Sequence, residues 1–225
     1  TGPNECRAAV RQLVKEGADF IKVTATGGTT ITSLPLLPSF NLDELKAICE
    51  EAHKFGLHVA AHCSCSQGIA NALDAGVDTI IHAYFREPDG SNVFKPELAD
   101  RIAQQGVFVN ATLAGRHVEI EQLELKMEAE GLTDVELAEL DENREMKEIR
   151  LEHFAKMREM GVVMVAGSDS AWKRYRMGGF QHEIHAHVMG GMSPKDSIIA
   201  ATLDSARSCR IDDKVGSIEL GKDGD

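Results

Sequence analysis

The stretch that decides the fold is residues 17–26, Gly-Ala-Asp-Phe-Ile-Lys-Val-Thr-Ala-Thr. A helical pattern ends immediately before it, and Gly17 supplies the left-handed conformation in which such a helix commonly stops. The run from residue 19 to residue 26 is then nearly continuously apolar and rich in β-branched residues, which is typical of a strand covered on both faces. A helix, a glycine and a buried strand, in this order, indicate an α/β fold.

The same order recurs along the rest of the chain. Further strands are predicted at residues 58–63, 79–84, 107–112 and 162–169. Helices are predicted at residues 4–16, 42–55 with Asn41 as the N-cap, 67–75, 96–105 and in a long stretch that ends at Met160. A glycine separates each helix from the next strand, at Gly17, Gly56, Gly76, Gly106 and Gly161. We therefore expect a parallel sheet, either open and doubly wound or closed as a (β/α)8 barrel.

Composition narrows the class of protein. The chain has 225 residues and a formal net charge of −12, which argues against nucleic acid and membrane surfaces as partners. Its longest apolar run is far too short to span a bilayer. Five irregularly spaced cysteines suit reduced thiols better than a disulfide framework, so we expect a cytoplasmic protein.

One segment holds most of the negative charge. Residues 117–152 contain 13 acidic and 4 basic residues, with Gly131 and Thr133 as a break between two helical patterns. The pattern predicts a solvated helical excursion, or a lid, after the fourth strand.

Four side chains that could bind a metal or take part in a reaction lie in or at the ends of predicted strands. Lys22 stands inside the apolar run of the first strand, where it requires an ion pair or a chemical role, as a Schiff-base amine or a carboxylated metal-bridging amine. His62 closes the second strand, His82 closes the third, and Asp169 ends the fifth. Because the carboxyl ends of parallel strands share one edge, these residues predict a divalent-metal site there.

Other clusters are given structural interpretations. His182, His185 and His187 follow the last strand in a helical context, and we expect a partly exposed helix face rather than a metal site. Cys63 and Cys65 flank the metal edge, and small buried thiols explain them better than zinc ligands.

These residues resemble the metal-dependent amidohydrolase superfamily, most closely its prolidase-like and imidazolonepropionase-like branch. The likeness lies in residues 17–23 and 26–28, Ala61-His62, residues 76–82, Gly167-Ser168-Asp169 and the tail at 215–223. It implies the part of a (β/α)8 TIM barrel that covers roughly barrel strands 4 to 8, without the first strands and the β-sandwich.

The resemblance also implies roles for the four residues. Lys22 is expected to be a carboxylated lysine that bridges two metal ions, and both ions are expected to be Zn²⁺. His62 and His82 are expected to hold the second metal. Asp169 is expected to hold the first metal and to shuttle the proton. Family members carry a His-x-His pair on the first barrel strand, and this sequence has no counterpart. We therefore expect residues 1–225 to be the C-terminal part of such a hydrolase, as a fragment of a longer reading frame or one piece of a split protein.

The implied activity is hydrolysis of amide-type C–N bonds in dipeptides or N-acyl amino acids by a metal-bridged hydroxide. Alternatives are a non-enzymatic fragment or complementing subunit, a urea or carbamate hydrolase, and a deaminase. A substrate carboxylate needs local positive charge in so acidic a chain, and two loops offer it. The predicted substrate-binding residues are Tyr84, Arg86, Arg174 and Arg176. We expect a small-molecule or dipeptide substrate, and a homo-oligomer in the full-length protein.

Overall fold

The computed structural model describes residues 2–28 and 33–224, which form two compact units. The first unit comprises residues up to Asn110 together with Met160–Val163. Its elements are α1 Pro3–Lys15, β1 Ile21–Thr24, α2 Leu42–Lys54, β2 Val59–His62, α3 Ser66–Ala75, β3 Thr79–Ile81, α4 Pro96–Gln104 and β4 Phe108–Asn110. After α1, each helix of this unit lies between two strands, as the repeating order in the sequence predicts.

The strands of the first unit form a parallel sheet in chain order, β1 to β4. In its register Ile21 pairs with Val59, and Ile80 pairs with Val109. The backbone N–H of Val109 also donates to the carbonyl of Val163, 3.0 Å away, so the chain runs beside β4 just before the fifth strand. The predicted α/β class with a parallel sheet is confirmed, whereas the assignment to barrel strands 4 to 8 stays a prediction.

The two faces of this sheet differ in burial. The side chains of one face are all buried and form the core of the unit: Ile21, Val23, Val59, Ala61, Ile80 and Val109. On the opposite face Lys22 and Thr24 are exposed, and His62 and Asn110 are half-buried. The expectation that both faces of the first strand are covered is therefore wrong, because β1 alternates buried and exposed residues.

The local signals for helix ends are confirmed. All five glycines that precede strands have positive φ, between 67° and 88°. Asn41 caps α2 with a capping box, since its side chain accepts from the N–H of Glu44 and the Glu44 carboxylate accepts from the N–H of Asn41. The strands are shorter than predicted, at both ends in β1, β2 and β4 and at the carboxyl end in β3. Phe20, predicted to lie in the first strand, precedes it and is exposed, with its ring stacked 5.1 Å from that of His58.

The second unit comprises Ala111–Glu159 and the residues from Met164 onward. Its elements are α5 Ala114–Glu130, α6 Asp134–Glu159, β5 Met164–Val165, α7 Gln181–Met189, α8 Pro194–Ile199, a π-helical turn at Ala200–Asp204 and α9 Ser205–Ser208. The acidic segment is a pair of packed helices that share an apolar cluster of Ile120, Leu123 and Leu140. Among the described residues, no helix combines the length and the apolar character needed to cross a membrane.

Candidate active site

Two histidines stand next to each other at the carboxyl ends of neighbouring strands. His62 is the last residue of β2, and His82 directly follows β3. Their ring centroids are 4.4 Å apart and the ring planes are nearly perpendicular, at 75°. His82 is buried, and its ring also stacks on that of Tyr84 at 5.8 Å. The structure thus brings together two of the predicted metal ligands.

The position of His82 depends on an unusual backbone turn. Ile81 shares the sheet face of His62, so a regular strand would place residue 82 on the opposite face. Instead His82 has φ of 72° and Ala83 has φ of 51°, a left-handed conformation that side chains other than glycine rarely adopt. The N–H of His82 donates to the carbonyl of Asn110, 2.8 Å away, which anchors the turn. Strain of this kind persists where the surroundings enforce it and concentrates at functional sites.

Lys22 lies on the same face of the sheet as His62. In the parallel register Lys22 pairs with Ala60 and Thr24 pairs with His62, so Lys22 is two residues before the level of the histidine on the neighbouring strand. Its side chain is exposed rather than buried. In the part of the chain that the structure describes, no carboxylate forms an ion pair with Lys22, so the interpretation of this residue as half of a buried ion pair is wrong.

Two further residues, Ser64 and Gly28, lie against the ring of His62. The hydroxyl oxygen of Ser64 lies 2.8 Å from Nε2 of His62. Gly28 lies against the same ring, since a Cβ at this position would stand 3.6 Å from both Cε1 and Nε2. A small polar residue two positions after a strand-ending histidine was the signal available in the sequence.

Asp169 belongs to the second unit. It lies four residues after the end of β5, so the prediction that the fifth strand extends to this residue is wrong. The side chain is exposed and the backbone has φ of 48°, again in the left-handed region. Its roles as metal ligand and proton shuttle stay predictions.

The four predicted substrate-binding residues have different surroundings. Tyr84 is half-buried beside His82. Arg86 is half-buried, and its Nε is a buried donor that lacks a hydrogen-bond partner among the described residues. The guanidinium of Arg174 already binds the carboxylates of Glu119 and Glu139, at 2.6 and 3.2 Å, whereas Arg176 is exposed. The charge of Arg174 is therefore matched within its own unit, and Arg86 is the better candidate for a substrate carboxylate.

A family model described as the amidohydrolase family matches residues 1–225. The chain belongs to the amidohydrolase family. It is similar to an Xaa-Pro dipeptidase solved with methionine in its active site, with 30% identity and a TM-score of 0.77 over 99% of this chain and 51% of that one. A Bifidobacterium longum protein provisionally named a prolidase gives 28% identity and a TM-score of 0.78, over 100% of this chain and 53% of that one.

The chain is also similar to a curated relative. Ochratoxinase from Aspergillus niger is 29% identical over 209 residues, which are 92% of this chain and 39% of that protein. The chain therefore spans about half the length of the solved relatives, and less of ochratoxinase. The resemblance to the prolidase-like branch is confirmed.

The first unit contains three of the predicted metal ligands, Lys22, His62 and His82. Among residues 2–28 and 33–224, no group of three or more His, Cys, Asp and Glu side chains lies close enough together to hold a metal ion. What the first unit offers is a pair of imidazoles and, on the same sheet face, the amine of Lys22. Imidazole nitrogens suit zinc and related divalent ions, and a lysine amine becomes an oxygen ligand once it is carboxylated.

The remaining histidine and cysteine clusters stay outside this donor set. His182 is half-buried and His185 is exposed, but His187 is completely buried, so the expected exposed helix face is wrong for that residue. Its Nε2 lies 3.4 Å from the carboxylate of Glu183, which is also fully buried. Cys63 and Cys65 are buried as expected, and burial raises the pKa of both thiols.

Proposed function

We propose that this amidohydrolase hydrolyses amide-type C–N bonds in dipeptides or N-acyl amino acids, with divalent metal ions as cofactor. The observation that carries the proposal is the pair of imidazoles of His62 and His82, held 4.4 Å apart at the carboxyl edge of a parallel sheet. This edge is where α/β barrels place their active sites. A dipeptidase among the similar structures supports the substrate class.

Two neighbouring imidazoles and an amine that can be carboxylated support a metal cofactor of this kind. His62 and His82 would each contribute one ring nitrogen, and a carboxylated Lys22 would contribute oxygen. Because the side chain of Lys22 is exposed, its amine is accessible to dissolved carbon dioxide. A divalent metal held there would supply Lewis acidity and lower the pKa of water in the site.

The protein's own groups would move the proton and hold the substrate. Asp169 is proposed to accept the proton that the attacking water loses and to deliver it to the leaving nitrogen, a general acid–base role. Arg86 is proposed to bind the free carboxylate of the substrate, because its buried Nε is a donor in need of an acceptor. Tyr84, stacked on His82, is proposed to contact the same substrate.

The experiment measures release of free amino acid from Xaa-Pro dipeptides and N-acyl amino acids. It uses the longest natural polypeptide that contains these 225 residues, purified with Zn²⁺. His62→Asn and Asp169→Asn should each lower kcat/KM by about 10²-fold or more, because the first removes a proposed metal ligand and the second the proposed acid–base group. The matched control is His185→Asn, an exposed histidine on α7, which should retain wild-type activity.

Two results would contradict the proposal. One is an absence of turnover by the wild type on every amide substrate of the panel. The other is equal activity of His62→Asn and His185→Asn, which would mean that the histidine pair takes no part in the reaction.

A further inference from the structure

A chain of buried and partly buried hydrogen bonds ends at His62. The hydroxyl oxygen of Ser64 lies 2.8 Å from His62 Nε2, and the N–H of Ser64 donates to Oγ1 of Thr26, also over 2.8 Å. Thr26 in turn donates from its hydroxyl to the carbonyl of Gly27. Ser64 is 4% exposed and Thr26 is fully buried, so water cannot easily replace these partners. The chain connects the end of β1 to the residue that closes β2.

The packing around Thr26 fixes this arrangement. The methyl group of Thr26 occupies the space above Gly68 in α3, since a Cβ on Gly68 would stand only 2.1 Å from Thr26 Cγ2. Residue 68 must therefore lack a side chain for Thr26 to keep its position. Thr26 then holds the backbone of Ser64, whose hydroxyl reaches the imidazole.

From this geometry we infer that Ser64 is a positioning residue for His62. The hydroxyl oxygen accepts a hydrogen bond from Nε2–H, which fixes the orientation of the ring and keeps the hydrogen on Nε2. A ring nitrogen that carries hydrogen cannot bind a metal, so the metal-binding nitrogen of His62 is Nδ1. The direction of this hydrogen bond and the metal-binding step rest on the proposed function, whereas the 2.8 Å contact between Ser64 and His62 does not.

The alternative orientation has a different consequence. If the Ser64 hydroxyl donated to Nε2, the neutral ring would carry its hydrogen on Nδ1. Nε2 would then be occupied by the hydrogen bond and Nδ1 by its hydrogen, so neither nitrogen could bind a metal. Metal binding by His62 would then require the loss of the Ser64 bond. Histidines that bind metals generally donate their other N–H to an oxygen acceptor, and loss of that acceptor typically weakens metal binding 10- to 100-fold.

The first test is nitrogen NMR of the metal-free protein labelled with ¹⁵N-histidine. The His62 signals are assigned from their loss in His62→Asn. We expect the tautomer with hydrogen on Nε2. A hydrogen on Nδ1, or an equal mixture of the two tautomers, would overturn the inference, and this result needs neither catalysis nor a Ser64 variant that folds.

The second test is the Zn²⁺ dissociation constant, measured by competition with a chromogenic chelator. Ser64→Ala should bind Zn²⁺ about 10- to 100-fold more weakly than the wild type. Ser66→Ala is the matched control, because Ser66 is also buried and its hydroxyl donates to Glu87, 2.7 Å away, instead of to a site residue. The control should bind Zn²⁺ like the wild type.

Two variants of Thr26 test the other hydrogen bond of this chain, between Thr26 and the Ser64 N–H. Thr26→Val keeps the shape but removes the acceptor for the Ser64 N–H, and should weaken Zn²⁺ binding several-fold. Thr26→Ser keeps the acceptor but loses the methyl group that packs on Gly68, and should weaken Zn²⁺ binding less than Thr26→Val does. Equal Zn²⁺ affinity of Ser64→Ala and Ser66→Ala would overturn the positioning role. If the wild type binds no Zn²⁺, the proposed function fails, and the tautomer alone decides the role of Ser64.

Discussion

Replacing Glu183 with Gln should destabilise the second unit strongly, because a fully buried carboxylate on α7 caps the start of α5. Its two oxygens accept from the N–H groups of Leu113 and Ala114, at 2.9 and 2.7 Å. Leu113, at the N-cap position, has no side chain that could do so. The carboxylate also faces the positive end of the helix dipole.

The expected loss follows from these two bonds. A glutamine keeps one acceptor oxygen but turns an NH₂ group toward the second N–H, which is then a buried donor without a partner. One hydrogen bond loses its charged acceptor and the other loses its acceptor altogether. Together these changes lower the free energy of unfolding by about 3 kcal/mol. In a chain of this length that lowers Tm by roughly 6 to 12 °C.

The assay is urea unfolding followed by far-ultraviolet circular dichroism at pH 7. Glu128→Gln is the matched control, since Glu128 is an exposed carboxylate on α5, and its free energy of unfolding should stay within about 0.5 kcal/mol of the wild type. If Glu183→Gln is as stable as this control, the carboxylate does not cap α5 and the reasoning is refuted.

Three further predictions concern other parts of the molecule. Gly68→Ala should lower the free energy of unfolding by about 1 to 3 kcal/mol, because the new methyl overlaps Thr26; urea unfolding checks this, and an unchanged midpoint would contradict it. In the native protein a thiol reagent should label Cys209 rapidly and the four buried cysteines only after denaturation; fast labelling of more than one thiol would show that their burial is wrong. A hydrogen bond from Lys126 lowers the pKa of Glu136 from 4.5 to about 2, so its contribution to stability is complete above pH 4.5 and is lost as the pH falls toward 2. The urea midpoint should therefore decrease less between pH 5 and pH 2.5 in Glu136→Gln than in the wild type, and equal decreases would argue against it.

The sequence predicts the features of this fold that depend on local chemistry. Helix α1 ends just before Gly17, where the backbone has positive φ. Helix α2 begins just after Asn41, because the Asn41 side chain caps its first turn. Both signals lie within a few residues of the structure that they determine. The adjacency of His62 and His82 was also predictable, because parallel strands bring their carboxyl ends to one edge.

Features that depend on distant partners were not predictable in this way. Arg174 is bound by Glu119, which lies 55 residues earlier in the chain, so the run of basic residues in the sequence suggested more available charge than the structure offers. His187 is buried because the packing around α7 covers one side of it, including the ring of Phe154 at 4.8 Å. The left-handed turn at His82 is likewise not predictable from the local sequence, because glycine is the residue expected in that conformation.

We propose that His62 and His82 together form a metal site. The most direct measurement is the zinc retained per chain, determined by mass spectrometry of the elements after equilibration with Zn²⁺ and removal of unbound ion. The wild type and His185→Ala should retain the same amount, and the double variant His62→Ala with His82→Ala should retain about one tenth of it or less. Equal retention by the double variant and the wild type, or no zinc in the wild type, would contradict the claim.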